Sequence, residues 1–135
     1  METWQKGEIA LLKVSLRAIE KGYIPSRPMV EGARYDLIID GMGGGPKRIQ
    51  VKYADHHQSS GTVMITLTKN NGNSKKKRKY TSKEIDYILV YIKETQKTYC
   101  LPPALFNNRT GVTLRYKPSI NKQVRNCNNA DDYVW

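Results

Sequence analysis

The stretch RIQVKYA at residues 48–54 decides the fold, together with RYDLIID at residues 34–40 just before it. Both segments contain the apolar and β-branched residues that favour strands. The connection between them, GMGGGPK, suits a hairpin turn because glycine adopts the positive φ angles that tight turns need. The sequence therefore predicts an antiparallel pair of strands.

Polar side chains share one face of the second strand. Side chains alternate between faces along a strand, so Gln50 and Lys52 lie on one side. Ile49 and Val51 lie on the other side, and we expect this apolar pair to face the core and the polar pair to face an opening. Asp36 opens the preceding strand and joins the polar set if the pairing register is even or a bulge intervenes.

A helix precedes this strand pair. Between residues 5 and 21 apolar residues recur at three- and four-residue steps, and Gly22 then suits a left-handed helix cap. The recurring residues are Ile9, Leu12, Leu16 and Ile19. We expect this helix to pack on one face of a mixed central β-sheet, as in an α/β domain.

Later segments extend the predicted sheet. Strands are predicted at TVMITLT (62–68), YILVYI (87–92) and GVTLRY (111–116), and a strand followed by a short helix at TYCLPPALF (98–106). TSKEI at residues 81–85 predicts the start of a short helix. YIPSRPMV at residues 23–30 predicts a loop or an edge segment, because it contains two prolines.

Length and charge limit the classes of function. At 135 residues the chain matches a single domain, which we place over residues 1–135. Its 23 Lys+Arg against 12 Asp+Glu give a formal net charge of +11, which favours a polyanionic partner, above all nucleic acid. No run approaches the roughly 18 apolar residues of a membrane span, and charges interrupt the first segment where a signal peptide needs an apolar core. We therefore expect a cytoplasmic protein that associates with the nucleoid through DNA and is not secreted.

The segment KNNGNSKKKRK at residues 69–79 has no apolar residue, so we expect a mobile basic loop outside the core. Its position between two strands of a basic domain favours contact with the DNA backbone over a nuclear address or a solvated run. The candidate DNA-binding residues are Arg27, Arg34, His56, His57, Lys75, Lys76, Lys77, Arg78 and Lys79. Arg34 is two residues from Asp36, so we expect it near a phosphate or base. Several tyrosines are interpreted as core or sheet residues: Tyr80, Tyr87, Tyr91 and Tyr99.

Residues around the hairpin supply the groups that phosphodiester hydrolysis needs. A hard divalent cation such as Mg²⁺ or Mn²⁺, held by oxygen ligands, can act with a lysine to neutralise phosphate charge and activate water. Asp36 and the carbonyl oxygens of Gln50 and Val51 are ligands of this type. Glu8 borders the apolar stripe of the first helix and can add a carboxylate. Lys52 can stabilise the developing charge and orient or deprotonate the attacking water.

At these residues the chain resembles the PD-(D/E)XK nuclease superfamily, which has the restriction-endonuclease fold. The matching positions are Glu8 in KGEIALLKV, Asp36 in YDLII, and Gln50-Val51-Lys52 in IQVKYA. The resemblance implies a magnesium site with a catalytic lysine. Within the superfamily the chain is most similar to the small homing endonucleases of cyanobacterial group I introns, which also carry Gln-x-Lys. That similarity implies an intron-encoded homo-oligomer, a dimer or a tetramer, that cuts both strands of a long, partly palindromic DNA site.

Two positions depart from the superfamily pattern. Tyr35 stands at the proline of the motif name, and the neutral Gln50 stands at the acid, where an amide binds cations more weakly than a carboxylate. Two alternatives stay open. One is a Holliday junction resolvase-like nuclease, which shares the fold but usually keeps the acid-x-Lys strand. The other is a non-catalytic basic module that binds DNA or RNA.

Overall fold

The computed structural model describes residues 1–57, 59–70, 77–118 and 128–135. The helices are α1 (Thr3–Glu20), α2 (Pro103–Phe106) and a 3₁₀ helix (Ala130–Tyr133). The strands are β1 (Ile24–Ser26), β2 (Leu37–Asp40), β3 (Lys47–Ala54), β4 (Thr62–Thr66), β5 (Thr68–Asn70), β6 (Lys77–Lys79), β7 (Tyr87–Ile92), β8 (Lys97–Leu101), β9 (Gly111–Arg115) and β10 (Asn128–Asn129). Within these ranges no helix is long and apolar enough to span a bilayer.

The main sheet has the strand order β1-β2-β3-β7-β8, and β3 is its central strand. β3 and β7 run parallel, whereas the other neighbours in this sheet are antiparallel, so the sheet is mixed as the sequence predicted. β4 and β9 form a second sheet with β10, and β5 pairs with β6. The predicted edge segment after α1 is the short edge strand β1.

Apolar clusters cover both faces of the main sheet. On one face α1 packs through Val14 and Ala18 against Ile49 and Leu89. On the other face lies a larger cluster. It includes Ile88 and Val90, the two residues of β7 that flank Leu89, together with side chains of β4, β8, β9 and α2. The alternation along β7 explains its continuous apolar sequence, because a strand covered on both faces needs no polar positions.

The helix packs on the sheet as expected, but through a different stripe from the predicted one. Its buried residues are Ala10, Val14 and Ala18. The predicted stripe is largely exposed: Leu12, Leu16 and Ile19 are 61%, 55% and 60% exposed. Both stripes follow the helical repeat, so periodicity could not distinguish them, and the prediction chose the stripe with the larger apolar side chains. Small residues at the contact instead allow the helix backbone to lie close to the sheet.

Turns at the ends of these elements follow the sequence closely. A capping box in which Glu2 N–H donates to Gln5 Oε1 at 2.7 Å begins α1, and Gly22 follows it with a φ of 82°. Gly43 and Gly44 also have positive φ angles in the β2–β3 turn.

Two predicted segments differ from the structure. Residues 81–85 form a turn before β7 and not the start of a helix, because only one turn of chain separates Thr81 from that strand. Within the predicted loop at residues 69–79, Lys69 of β5 instead lies opposite Arg78 of β6 in paired strands, while residues 71–76 lie outside the described residues. Backbone pairing does not require apolar side chains, which is why the composition of this segment concealed it.

Candidate active site

Asp36 is fixed at the beginning of β2 by backbone hydrogen bonds to β3. Its N–H donates to the Ile49 carbonyl at 2.8 Å, and the Val51 N–H donates to its Oδ2 at 2.9 Å. Leu37 lies opposite Ile49, so the register is even and Asp36 is in line with Gln50. The pairing that allows Asp36 to join the polar set is therefore present.

Gln50 is buried, contrary to the expectation of an opening on its face of β3. It is 6% exposed because the larger apolar cluster covers that face. Its Oε1 has no hydrogen-bond partner among the described residues. A buried carbonyl oxygen without a partner is costly, so this atom is a candidate ligand position.

Lys52 lies beyond Gln50 on the same face and is half-buried. Burial lowers the pKa of its ammonium because the charged form loses hydration, while the negative charge of Asp36 acts in the opposite direction. The positive charge of Lys69 on β5 lowers this pKa further. Lys52 thus lies within electrostatic reach of both the candidate carboxylate and the basic hairpin β5–β6.

Tyr80 forms one wall of the Lys52 environment. The Lys52 Nζ lies over its ring, 4.9 Å from the centroid. The pKa of the Tyr80 hydroxyl is raised to about 12, chiefly by burial and also by the negative charge of Asp36, while the positive charge of Arg34 acts in the opposite direction. The sequence interpretation of Tyr80 as a core residue is correct but missed this contact, since nothing in the spacing of Tyr80 and Lys52 indicates it.

Glu8 meets Asp36 across a cleft. The cleft has a volume of about 390 Å³ and is lined by Trp4, Gly7, Glu8, Leu11, Asp36 and Val51. Glu8 is about half exposed and its Oε2 lies 3.4 Å from Nη2 of Arg27. Gln50 and Lys52 are not part of this lining, because they point to the other face of β3. Asp36 is common to the lining of the Glu8 cleft and to the set that it forms with Gln50 and Lys52.

The oxygen donors fit a hard divalent cation. The described residues contain no cluster of three or more His, Cys, Asp or Glu side chains, so any such site here combines carboxylates with neutral oxygens. Glu8 and Asp36 supply the carboxylates, and the unpartnered Oε1 of Gln50 lies next to Asp36 in the register. Mg²⁺ and Mn²⁺ accept this oxygen-only donor set, whereas zinc sites usually include nitrogen or sulfur.

The candidate DNA-binding arginines are already engaged with acids. Arg34 Nη2 lies 3.0 Å from Glu84 Oε2, and Arg78 Nη2 donates to Glu84 Oε1 at 2.6 Å. The Arg34 contact has ion-pair distance without hydrogen-bond geometry, and its buried Nε also lacks a hydrogen-bond partner among the described residues. The Arg34 side chain is only 26% exposed and is held against Glu84.

The two histidines are in different situations. Both are exposed, but His57 contacts the Thr62 carbonyl at 3.2 Å, Glu94 at 3.2 Å and the Tyr116 hydroxyl at 3.1 Å. Lys79 is exposed beside Tyr80. The predicted contacts Lys75 and Lys76 lie outside the described residues, as does the side chain of Lys77.

Comparisons with known proteins agree with this architecture. The family model described as PD-(D/E)XK endonuclease matches residues 1–135. A search of curated proteins found no match. Among solved structures, that of a bacterial homing endonuclease, I-Ssp6803I, is similar with a TM-score of 0.79 and 20% sequence identity, covering 99% of this chain and 89% of that one. The restriction-endonuclease-like fold expected from the sequence is confirmed.

Proposed function

We propose, since the chain belongs to the PD-(D/E)XK endonuclease family, that it is a metal-dependent endonuclease that cuts both strands of a specific DNA site. The observation that carries the proposal is the alignment of Asp36 with Gln50, whose buried Oε1 lacks a partner among the described residues, one step along the strand face from Lys52. The net charge of +11 suits a DNA substrate.

In this proposal Asp36, Gln50, the Val51 carbonyl and Glu8 would hold a divalent cation, with Asp36 as the ligand shared between the Glu8 cleft and the opposite face of β3 that carries Gln50. Such a cation, when bound, supplies charge to the phosphate oxygens and lowers the pKa of water. Val51 N–H holds the Asp36 carboxylate in place at 2.9 Å, so little rearrangement is needed on binding.

Lys52 is the proposed proton-handling and charge-stabilising group. As an ammonium it stabilises negative charge that develops on the phosphate, and the surrounding burial strengthens this interaction by excluding water. Burial also lowers the pKa of the Lys52 ammonium, which makes the neutral amine easier to form. This suits a role in orienting or deprotonating water. Arg34, whose Nε has no hydrogen-bond partner among the described residues, is proposed to bind a neighbouring phosphate.

We further propose that the protein is an intron-type homing endonuclease acting on DNA in the cytoplasm. The support is the fold shared with I-Ssp6803I, a bacterial homing endonuclease, and the Gln-x-Lys pattern at Gln50 and Lys52. A supercoiled plasmid, a synthetic four-way junction and a library of long random duplexes, each incubated with protein and Mg²⁺, test this. Cutting of rare library members supports it. Preferential cutting of the junction favours a resolvase, and binding without cutting favours a non-catalytic module.

A homo-oligomer is the proposed assembly. A domain of this length has a radius of gyration of about 14 Å, so one copy spans little more than one turn of DNA. Leu12, Leu16 and Ile19 form an exposed apolar stripe on α1, which we propose as the contact between two copies. Lys13 and Glu20 lie on one flank of the stripe. The Lys13 Nζ lies over the Tyr91 ring of the same chain, 5.6 Å from its centroid, so the proposed contact rests on the apolar stripe itself.

A further inference from the structure

Lys52 carries its charge on a flexible side chain next to a rigid aromatic ring. Four rotatable bonds separate a lysine ammonium from its backbone, so its position is costly to fix by the strand alone. The Nζ of Lys52 nevertheless lies over the Tyr80 ring, 4.9 Å from the centroid. The electron-rich face of an aromatic ring attracts a cation at this distance, most strongly where water is excluded.

The Tyr80 ring itself has little freedom to move. It is 1% exposed and packs in the apolar cluster with residues such as Ile88 and Phe106. The backbone is also held, because the Asn108 N–H donates to the Tyr80 carbonyl at 2.9 Å. The ring is therefore a fixed surface against which the lysine can rest.

We propose that Tyr80 is a positioning residue that holds the Lys52 ammonium beside Asp36 before DNA binds. The inference rests on the proposed function, in which Lys52 acts at the scissile phosphate. A charged donor that is already in place needs no reorganisation during the reaction, which is where most of its benefit arises. The attraction belongs to the ring face, so the hydroxyl is not required for it.

The first test measures the position of Lys52 in the metal-free protein. Its Cε methylene protons, assigned by their absence in Lys52→Ala, should resonate upfield because of the Tyr80 ring current. The shift should persist in Tyr80→Phe and vanish in Tyr80→Leu. Lys13 and Lys21 lie over the rings of Tyr91 and Trp135 at 5.6 and 5.1 Å, so their signals serve as internal controls for folding and should not change. A Lys52 shift that survives in Tyr80→Leu overturns the proposal.

The second test asks whether Tyr80 acts through Lys52. On a cut DNA from the library, Tyr80→Leu should lower the single-turnover rate by roughly ten- to thirty-fold with DNA affinity unchanged, and Tyr80→Phe should restore the rate. In a Lys52→Ala background, Tyr80→Leu should cause no further decrease. Equal decreases in both backgrounds show a general structural effect and overturn the inference while leaving the proposed function intact. A parent protein that cuts no DNA instead contradicts the proposed function, and the Lys52 resonance then still reports the contact.

Discussion

At the scale of residues, strand alternation predicted which side chains accompany one another, and the second packing layer decided what surrounds them. Gln50 and Lys52 share a face as predicted from the sequence. The burial of Gln50 and the contact of Lys52 with Tyr80 depend on segments distant in the chain, namely Tyr80 and the cluster around it. Local sequence patterns do not indicate contacts between residues that are far apart in the chain, so these contacts could not be predicted from the sequence alone.

The unpartnered Oε1 of Gln50 predicts that function and stability conflict at this position. We expect Gln50→Met, which keeps the volume and removes the buried amide, to leave the free energy of unfolding in EDTA unchanged or higher by up to about 1 kcal/mol. The same variant should cut DNA more slowly, because it lacks one of the proposed ligand oxygens. Urea denaturation in EDTA and in Mg²⁺ checks this: Mg²⁺ should stabilise the parent more than the variant. A marked decrease of stability in EDTA would mean that Gln50 already has its partners in the protein.

Asp86 predicts an acid-sensitive contribution to stability. It accepts hydrogen bonds from the Arg48 N–H at 2.7 Å and the Arg48 Nε at 3.1 Å, and these bonds to Arg48 lower the pKa of its carboxyl. A lowered pKa in the folded state means that the stabilisation is present at neutral pH and is lost as the pH falls through that value. Asp86→Asn should therefore cost about 1–3 kcal/mol at pH 7 and should flatten the decline of stability below about pH 4. Asp132→Asn, at an exposed acid, is the matched control. An unchanged acid profile in Asp86→Asn would contradict the assignment.

At the scale of elements, the position of α1 and the short pair β5–β6 show what periodicity and composition can and cannot specify. The helical repeat located α1 correctly, yet two stripes satisfied it, and close packing on the sheet selected Ala10, Val14 and Ala18. Composition marked residues 69–79 as a loop, although Lys69 and Arg78 lie opposite one another in paired strands. In both cases side-chain size and backbone hydrogen bonding outweighed the residue types.

The basic hairpin predicts a measurable electrostatic contribution to DNA binding. Replacing residues 75–79 by serine should reduce the slope of log affinity against log salt by about 0.9 for each phosphate that the segment no longer neutralises. Lys79→Ser alone should show this effect more clearly than Arg78→Ser, because Arg78 is already paired with Glu84 at 2.6 Å. Lys97→Ser, on the edge strand β8, is the control and should leave the slope unchanged. A slope that stays constant in the five-residue variant would show that the segment does not bind phosphates.

At the scale of the whole molecule, the motifs in the sequence predicted the fold class. They did not predict how the strands are arranged in the sheets. β7 pairs in parallel with β3, and this pairing places Ile88 directly beside Gln50 in the sheet. The separate sheet formed by β4, β9 and β10 supplies the second apolar layer. Long-range strand pairings of this kind leave no pattern in the local sequence. The order of the secondary-structure elements along the chain, by contrast, does leave such a pattern.

The proposed assembly predicts a mutation that changes oligomeric state. Leu16→Asp places a charge in the middle of the exposed stripe on α1, so light scattering should show a shift toward monomer with the fold retained. Met29→Asp introduces the same charge at an apolar residue that is 102% exposed outside this helix, and it should not change the mass. Equal masses for parent and Leu16→Asp would remove α1 from the interface.

We propose that Asp36 and its neighbours form a metal-dependent site for DNA cleavage. The measurement that tests it most directly is single-turnover cleavage of the random-duplex library by the parent and by Asp36→Ala, in Mg²⁺ and in excess EDTA. We predict that the parent cuts in Mg²⁺ and not in EDTA, and that Asp36→Ala cuts in neither while still binding DNA, because it keeps the basic surface and lacks a carboxylate ligand. Equal cutting by the parent in EDTA, or cutting by Asp36→Ala at the parental rate, would contradict the claim.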